Sequence, residues 1–103
     1  MEYITAINEN RTLYIEKNKV AAILAQPRIQ RVPGAGANIR GISLYDGQIV
    51  VYYRLGDGEG CGIIIKTDED GLMGITAEYP SQDDIEPSAL TAVMPGIWEI
   101  KSD

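Results

Sequence analysis

The chain has no histidine, no phenylalanine, one cysteine and one tryptophan. Without histidine it lacks the commonest general base, the commonest metal ligand and every Ser–His or Cys–His nucleophile pair. A lone cysteine, Cys61, excludes an intramolecular disulfide. No cationic activator stands near it in the sequence, so it reads as a small apolar packing residue. No apolar run approaches the roughly 20 residues of a membrane helix. Met1-Glu2-Tyr3 lacks the basic start of a secretory signal. The expectation is a cytoplasmic protein with no membrane insertion, whose Asn10-Arg11-Thr12 sequon stays unmodified. Basic charge is also scarce: 9 Lys and Arg face 15 Asp and Glu, a net charge of −6. That balance argues against nonspecific nucleic-acid binding and against an anionic membrane surface.

What is present is a globular composition, with 45% hydrophobic and 23% charged residues over 103 positions. This is the size of one ordinary domain or two very small subdomains. The stretch Ile39–Leu55 organises the rest. Two apolar, β-branched and aromatic runs flank Asp46-Gly47, a pair that tolerates the positive φ angles of a tight hairpin turn. Ile49-Val50-Val51-Tyr52-Tyr53 has almost no polar break and predicts a central strand, buried on both faces or folded inside a small barrel.

Taken in order, Tyr3–Ile7 and Thr12–Ile15 predict two strands around an Asn8-Glu9-Asn10 turn, with Leu13 and Ile15 on one face. Val20, Ile23 and Leu24 stand at helical spacing, but a short strand fits the run equally. Arg28–Val32 reads as an exposed edge segment, and residues 33–38 as a small-residue loop. The glycine-rich stretch 56–62 reads as a flexible hairpin loop. Two strands follow, over 63–67 and 72–77, joined by a second Asp-Gly turn at Asp70-Gly71. Pro80–Pro87 reads as a polar connection, and Ile97, Trp98 and Ile100 as a last strand. Many short strands punctuated about every 8–12 residues predict an all-β sandwich or barrel.

Candidate chemistry is thin. Gly56–Gly62 lacks the Lys-Ser/Thr ending of a phosphate loop and carries Asp57 and Glu59. Asp68-Glu69-Asp70-Gly71 lacks the distal acid of a calcium loop. Asp83, Asp84 and Glu86 read as a solvated acidic connection. Arg28 and Arg31 are the nearest thing to a basic patch, without interleaved aromatics. No catalytic, cofactor-binding or metal-binding constellation emerges, and a binding or scaffolding module is the expected class.

Several segments together resemble the CheW domain of bacterial chemotaxis. They are Tyr14–Leu24, Ile29-Gln30-Arg31-Val32-Pro33-Gly34, Ile39-Arg40-Gly41-Ile42, Asp46–Val51, Ile63-Ile64-Ile65 with Gly71–Ile75, and Met94–Trp98. The resemblance runs from Tyr3 to Trp98 and rests on the order and spacing of these segments. It implies an all-β fold of two small packed five-stranded barrels of the Src-homology type. Tyr3–Leu55 would supply most of one barrel and the remainder, with chain exchange between barrels, the second, giving approximate subdomains 1–55 and 56–103. The second would be incomplete at the C-terminus.

The resemblance further implies a non-catalytic adaptor that docks to a CheA-type histidine kinase regulatory domain and to chemoreceptor tips. By family position, Val20, Ile23 and Asp46 would line the receptor side, although plain core packing for Val20 and Ile23 and a turn role for Asp46 are the simpler readings. Three positions depart from the family pattern: Asp46 falls where the Arg of Asn-Leu-Arg-Gly is expected, Ala22 where a Glu is, and Arg54 where an acid is. Asp46, Ala22 and the short C-terminus favour an alternative, a CheW-like module that binds another regulatory protein or itself without receptor coupling. A third class, a small-molecule-binding barrel or enzyme subunit, would need a deep pocket with convergent polar groups.

Overall fold

The computed structural model describes residues 1–102. Ten strands follow in order: β1 (Glu2–Ile7), β2 (Thr12–Glu16), β3 (Val20–Ala25), β4 (Ile39–Tyr45), β5 (Gln48–Tyr53), β6 (Cys61–Lys66), β7 (Leu72–Ala77), β8 (Tyr79–Asp84), β9 (Leu90–Met94) and β10 (Ile97–Ile100). Single 3-10 turns occupy Lys17–Lys19 and Pro87–Ala89, and no α-helix occurs among the described residues. No helix is long and apolar enough to cross a membrane.

The strands make two five-stranded sheets. A terminal sheet has the order β8-β1-β2-β10-β9, and a central sheet the order β3-β6-β7-β5-β4. The expected division near residue 55 is therefore corrected. All five strands between residues 20 and 77 belong to the central sheet, which is inserted into a terminal sheet built from both ends of the chain. The chain crosses between sheets at the Lys17–Lys19 turn and at Glu78, the one residue between β7 and β8. The expected gap in the second barrel is corrected too, because β10 lies between β2 and β9 and completes five strands.

The central sheet closes on itself just beyond its last ladder. Gln30 N–H donates to Ile42 O at 2.7 Å and Ile42 N–H donates to Gln30 O at 2.8 Å. This pair ties the outer edge of β4 to the segment that follows β3.

Two apolar clusters result. The larger lies between the sheets, with Ile4, Leu13 and Ile15 against Ile63, Ile65 and Ile75. The smaller lies inside the central sheet, where Val50, Tyr52 and Ile64 meet Ala22 and Leu24. Successive strand residues face opposite ways, so the unbroken Ile63-Ile64-Ile65 run feeds both clusters.

β3 resolves the helix-or-strand ambiguity. Its register against β6 shifts between Val20 and Ala22. A bulge there changes the parity of the strand. Val20 and Ile23 consequently pair with Ile65 and Ile63 on the inter-sheet face despite a spacing of three.

Of the two expectations for β5, a place inside a small barrel holds and burial on both faces does not. Val50 and Tyr52 are fully buried, but Ile49 is 62% exposed. The Pro80–Pro87 segment is likewise corrected in part. Residues Tyr79–Asp84 form an edge strand on β1, with Pro80 opposite Ala6 and Asp83 accepting from Thr5 Oγ1 at 2.7 Å. Proline and carboxylates are the residues that blunt a free sheet edge.

The glycine-rich stretch is no hairpin, since β5 and β6 are not neighbours in the sheet. Gly56 and Gly58 are buried while Asp57 and Glu59 point to solvent. A Cβ at Gly58 or Gly60 would overlap the backbone of Glu78, and one at Gly56 would overlap the Asn8 side chain. The loop is packed flat against the crossover, which only residues without a Cβ allow.

Candidate functional site

The β4–β5 hairpin turns at Asp46 and Gly47, with φ of 50° and 77° and Tyr45 paired with Gln48. Leu44 and Ile49 stand opposite each other one step from the tip. They are 72% and 62% exposed, the two most exposed large hydrophobic side chains. Ile42 and Val51, the next pair on that face, are half-buried. Val51 neighbours Met73 of β7, which belongs to the inter-sheet core. One apolar face therefore runs from the buried core out to Leu44 and Ile49, where the terminal sheet no longer covers it. An adjoining groove of about 890 Å³ is walled by Ile42, Leu44 and Ile49 with Pro27 and Ile29, and by the polar Arg28, Gln30 and Ser43. Apolar side chains placed side by side on a strand pair, without a cover, are the usual anatomy of a docking surface.

The sequence-predicted residues are not assembled into one patch. Val20 is half-buried against the inter-sheet core. Ile23 is 42% exposed on β3. Asp46 is an exposed turn residue at the hairpin tip, next to the Leu44–Ile49 pair. β3 and β4 are the two end strands of the central sheet and meet only through the Gln30–Ile42 bridge beyond β3. Asp46 closes the hairpin turn with positive φ, whereas Asn38-Ile39-Arg40-Gly41 leads into β4 and places Arg40 on that strand.

Arg40 opens the second feature, which sequence reasoning missed. The β4–β5 register shifts between Ile39 and Gly41, so Arg40 sits at a β-bulge. Bulges re-aim side chains and recur beside functional sites. Its side chain is only 14% exposed. Nη2 donates to Gly56 O at 3.0 Å and Nη1 to Glu59 Oε1 at 3.2 Å. Nε is buried and has no partner. Arg31 follows the Gln30–Ile42 bridge, and Arg54 follows β5, its N–H donating to Asn38 O at 2.7 Å. Arg31, Arg40 and Arg54 thus come from three separate segments to line one cavity of about 430 Å³, with Glu59, Thr76, Pro27 and Ile29. No signal in the linear sequence joins them, because the bulge and the bridge bring them together.

Comparison with known proteins adds the fold. No family model matches the sequence, and no curated protein does. Among solved structures, the chain is similar to the scaffolding protein TtCheW from Thermoanaerobacter tengcongensis, with a TM-score of 0.67 and 16% identity. The match covers 86% of this chain and 64% of that protein, so the chain spans less than two thirds of its length. At that identity the likeness shows a shared fold.

Proposed function

We propose that this chain is a non-catalytic adaptor of a chemotaxis-type signalling assembly in the cytoplasm, acting by protein docking alone. The observation that carries this reading is the apolar face left uncovered at Leu44 and Ile49, on a fold shared with a scaffolding protein. Burying two such side chains contributes about 1.5–3 kcal/mol each, which suits a reversible docking contact. The partner we assign to the hairpin is the regulatory domain of a CheA-type histidine kinase. A chemoreceptor tip is the second partner, with Ile23 on β3, away from the hairpin tip, as the residue offered to it.

One observation favours a second reading, self-association. β9 is an end strand of the terminal sheet, and its sequence Leu-Thr-Ala-Val-Met holds neither charge nor proline. Such an edge is open to pairing with another chain. The test is calorimetric titration of the protein with the kinase regulatory domain and, separately, with a receptor-tip fragment, after sedimentation of the protein alone. Saturable 1:1 binding of the kinase domain supports the adaptor. Binding of neither partner, with a concentration-dependent dimer, replaces it with the self-associating module.

A further inference from the structure

We infer that the cavity between Arg31, Arg40 and Arg54 is a binding site for a phosphate dianion, either free or as the head of a small phosphomonoester. The cavity shares Pro27 and Ile29 with the groove beside the docking hairpin but uses neither Leu44 nor Ile49.

The protein carries a net charge of −6, yet three of its arginines line one small cavity. Among the described residues Arg31 and Arg54 make no ion pair, although carboxylates outnumber cations on this chain. Arg11, which lies nearby, is already committed: its Nε and Nη2 both reach Glu99 Oε2, at 3.0 and 2.7 Å. Only Glu59 places a carboxylate in the cavity, and its side chain is 80% exposed. Three guanidiniums against that one carboxylate leave two positive charges, which matches a dianion.

The geometry is directional as well as charged. Arg40 is turned into the cavity by a bulge and anchored through Nη2 to Gly56 O. Its Nε–H is buried without an acceptor. A buried donor left empty is unfavourable, a loss that a bound oxyanion would reverse. Glu59 Oε1 on Nη1 acts as an internal carboxylate stand-in, held by an exposed side chain that can swing away. Pro27 and Ile29 supply an apolar wall on the same cavity, suited to the organic part of an ester.

The test is titration of the intact protein with inorganic phosphate and with phenyl phosphate at constant ionic strength. It is followed by calorimetry and by the arginine Nε–H resonances in nitrogen-edited NMR. Saturable 1:1 binding that moves the Arg40 Nε–H resonance is expected. Tighter binding of phenyl phosphate assigns the phosphomonoester, and equal binding assigns free phosphate. The double variant Arg31→Gln/Arg54→Gln, both exposed positions, should keep its thermal unfolding curve and lose about tenfold or more in affinity. Glu59→Gln should bind more tightly, because the competing carboxylate is gone. Absence of saturation with either anion, binding unchanged in the double variant, or weaker binding by Glu59→Gln each overturns the proposal. So does binding of a polyglutamate peptide without binding of phosphate.

Discussion

The Asn8 side chain accepts the backbone N–H of Gly58 at 2.7 Å, a buried hydrogen bond between residues 50 apart in sequence. It locks the glycine loop onto the Glu78 crossover, whose own N–H donates to Ile7 O at 2.9 Å. The two sheets are joined at this point. Asn8→Ala leaves the Gly58 donor buried without a partner and should cost about 1–3 kcal/mol. Gly58→Ala and Gly60→Ala push a methyl into the Glu78 backbone and should cost at least as much, about 3 kcal/mol. Asp57→Ala, next to Gly58 but exposed, should stay within about 0.5 kcal/mol. Urea unfolding of the four variants checks this, and equal effects at Asp57 and Gly58 would refute the packed loop.

Tyr52 gives the opposite sign. Its ring packs on Gly74, where a Cβ would stand 2.7 Å from two ring carbons, while its hydroxyl is buried without a partner. Tyr52→Phe keeps the ring and removes the orphaned group, so stability should rise by about 1–3 kcal/mol. A loss of stability would mean that the hydroxyl has a partner, such as a buried water.

Titration predicts an alkaline limit. Burial pushes the Cys61 thiol up, partly offset by a backbone hydrogen bond from Ala77, and burial likewise pushes up the hydroxyls of Tyr3, Tyr14 and Tyr52. A raised folded-state pKa means that the folded protein holds the proton after the unfolded chain has released it. The stability from these groups is therefore complete below their ordinary pKa values and is lost as pH rises through the raised ones. The urea midpoint should fall as pH rises above about 8.5, and Cys61→Ala should make that fall shallower until the tyrosines titrate near pH 10. Cys61 is 5% exposed, so a thiol reagent at neutral pH should label it only on unfolding. Stoichiometric labelling of the native protein within minutes would contradict this burial.

Much of the fold was legible because local chemistry decided it. Asp46-Gly47 adopts the positive φ angles that the pair tolerates, and Leu13 and Ile15 alternate with Thr12 and Tyr14 on β2 as their period requires. The misreadings come from tertiary context. The bulge beside Ala21 gave β3 a spacing that imitates a helical turn. β8 hid behind Pro80, Asp83 and Asp84, which suit an edge strand as well as a loop. The alternating glycines from 56 to 62 look flexible in sequence, whereas the crossover they pack against is invisible until Asn8 and Glu78 are in place. The candidate surfaces were the least legible. Leu44 and Ile49 look like core residues, and only the extent of the covering sheet shows that they are not. The three arginines are scattered from position 31 to position 54.

The central claim is that the uncovered hairpin face docks a partner. Its most direct test is the double variant Leu44→Thr/Ile49→Thr, titrated beside the parent protein with the regulatory domain of a CheA-type kinase. Threonine keeps β-propensity while removing apolar surface, so the variant should unfold within about 1 kcal/mol of the parent. Affinity should fall about tenfold or more, the equivalent of about 1.4 kcal/mol or more of lost burial. A variant that is equally stable and binds the kinase domain as tightly as the parent would show that Leu44 and Ile49 are not the docking surface.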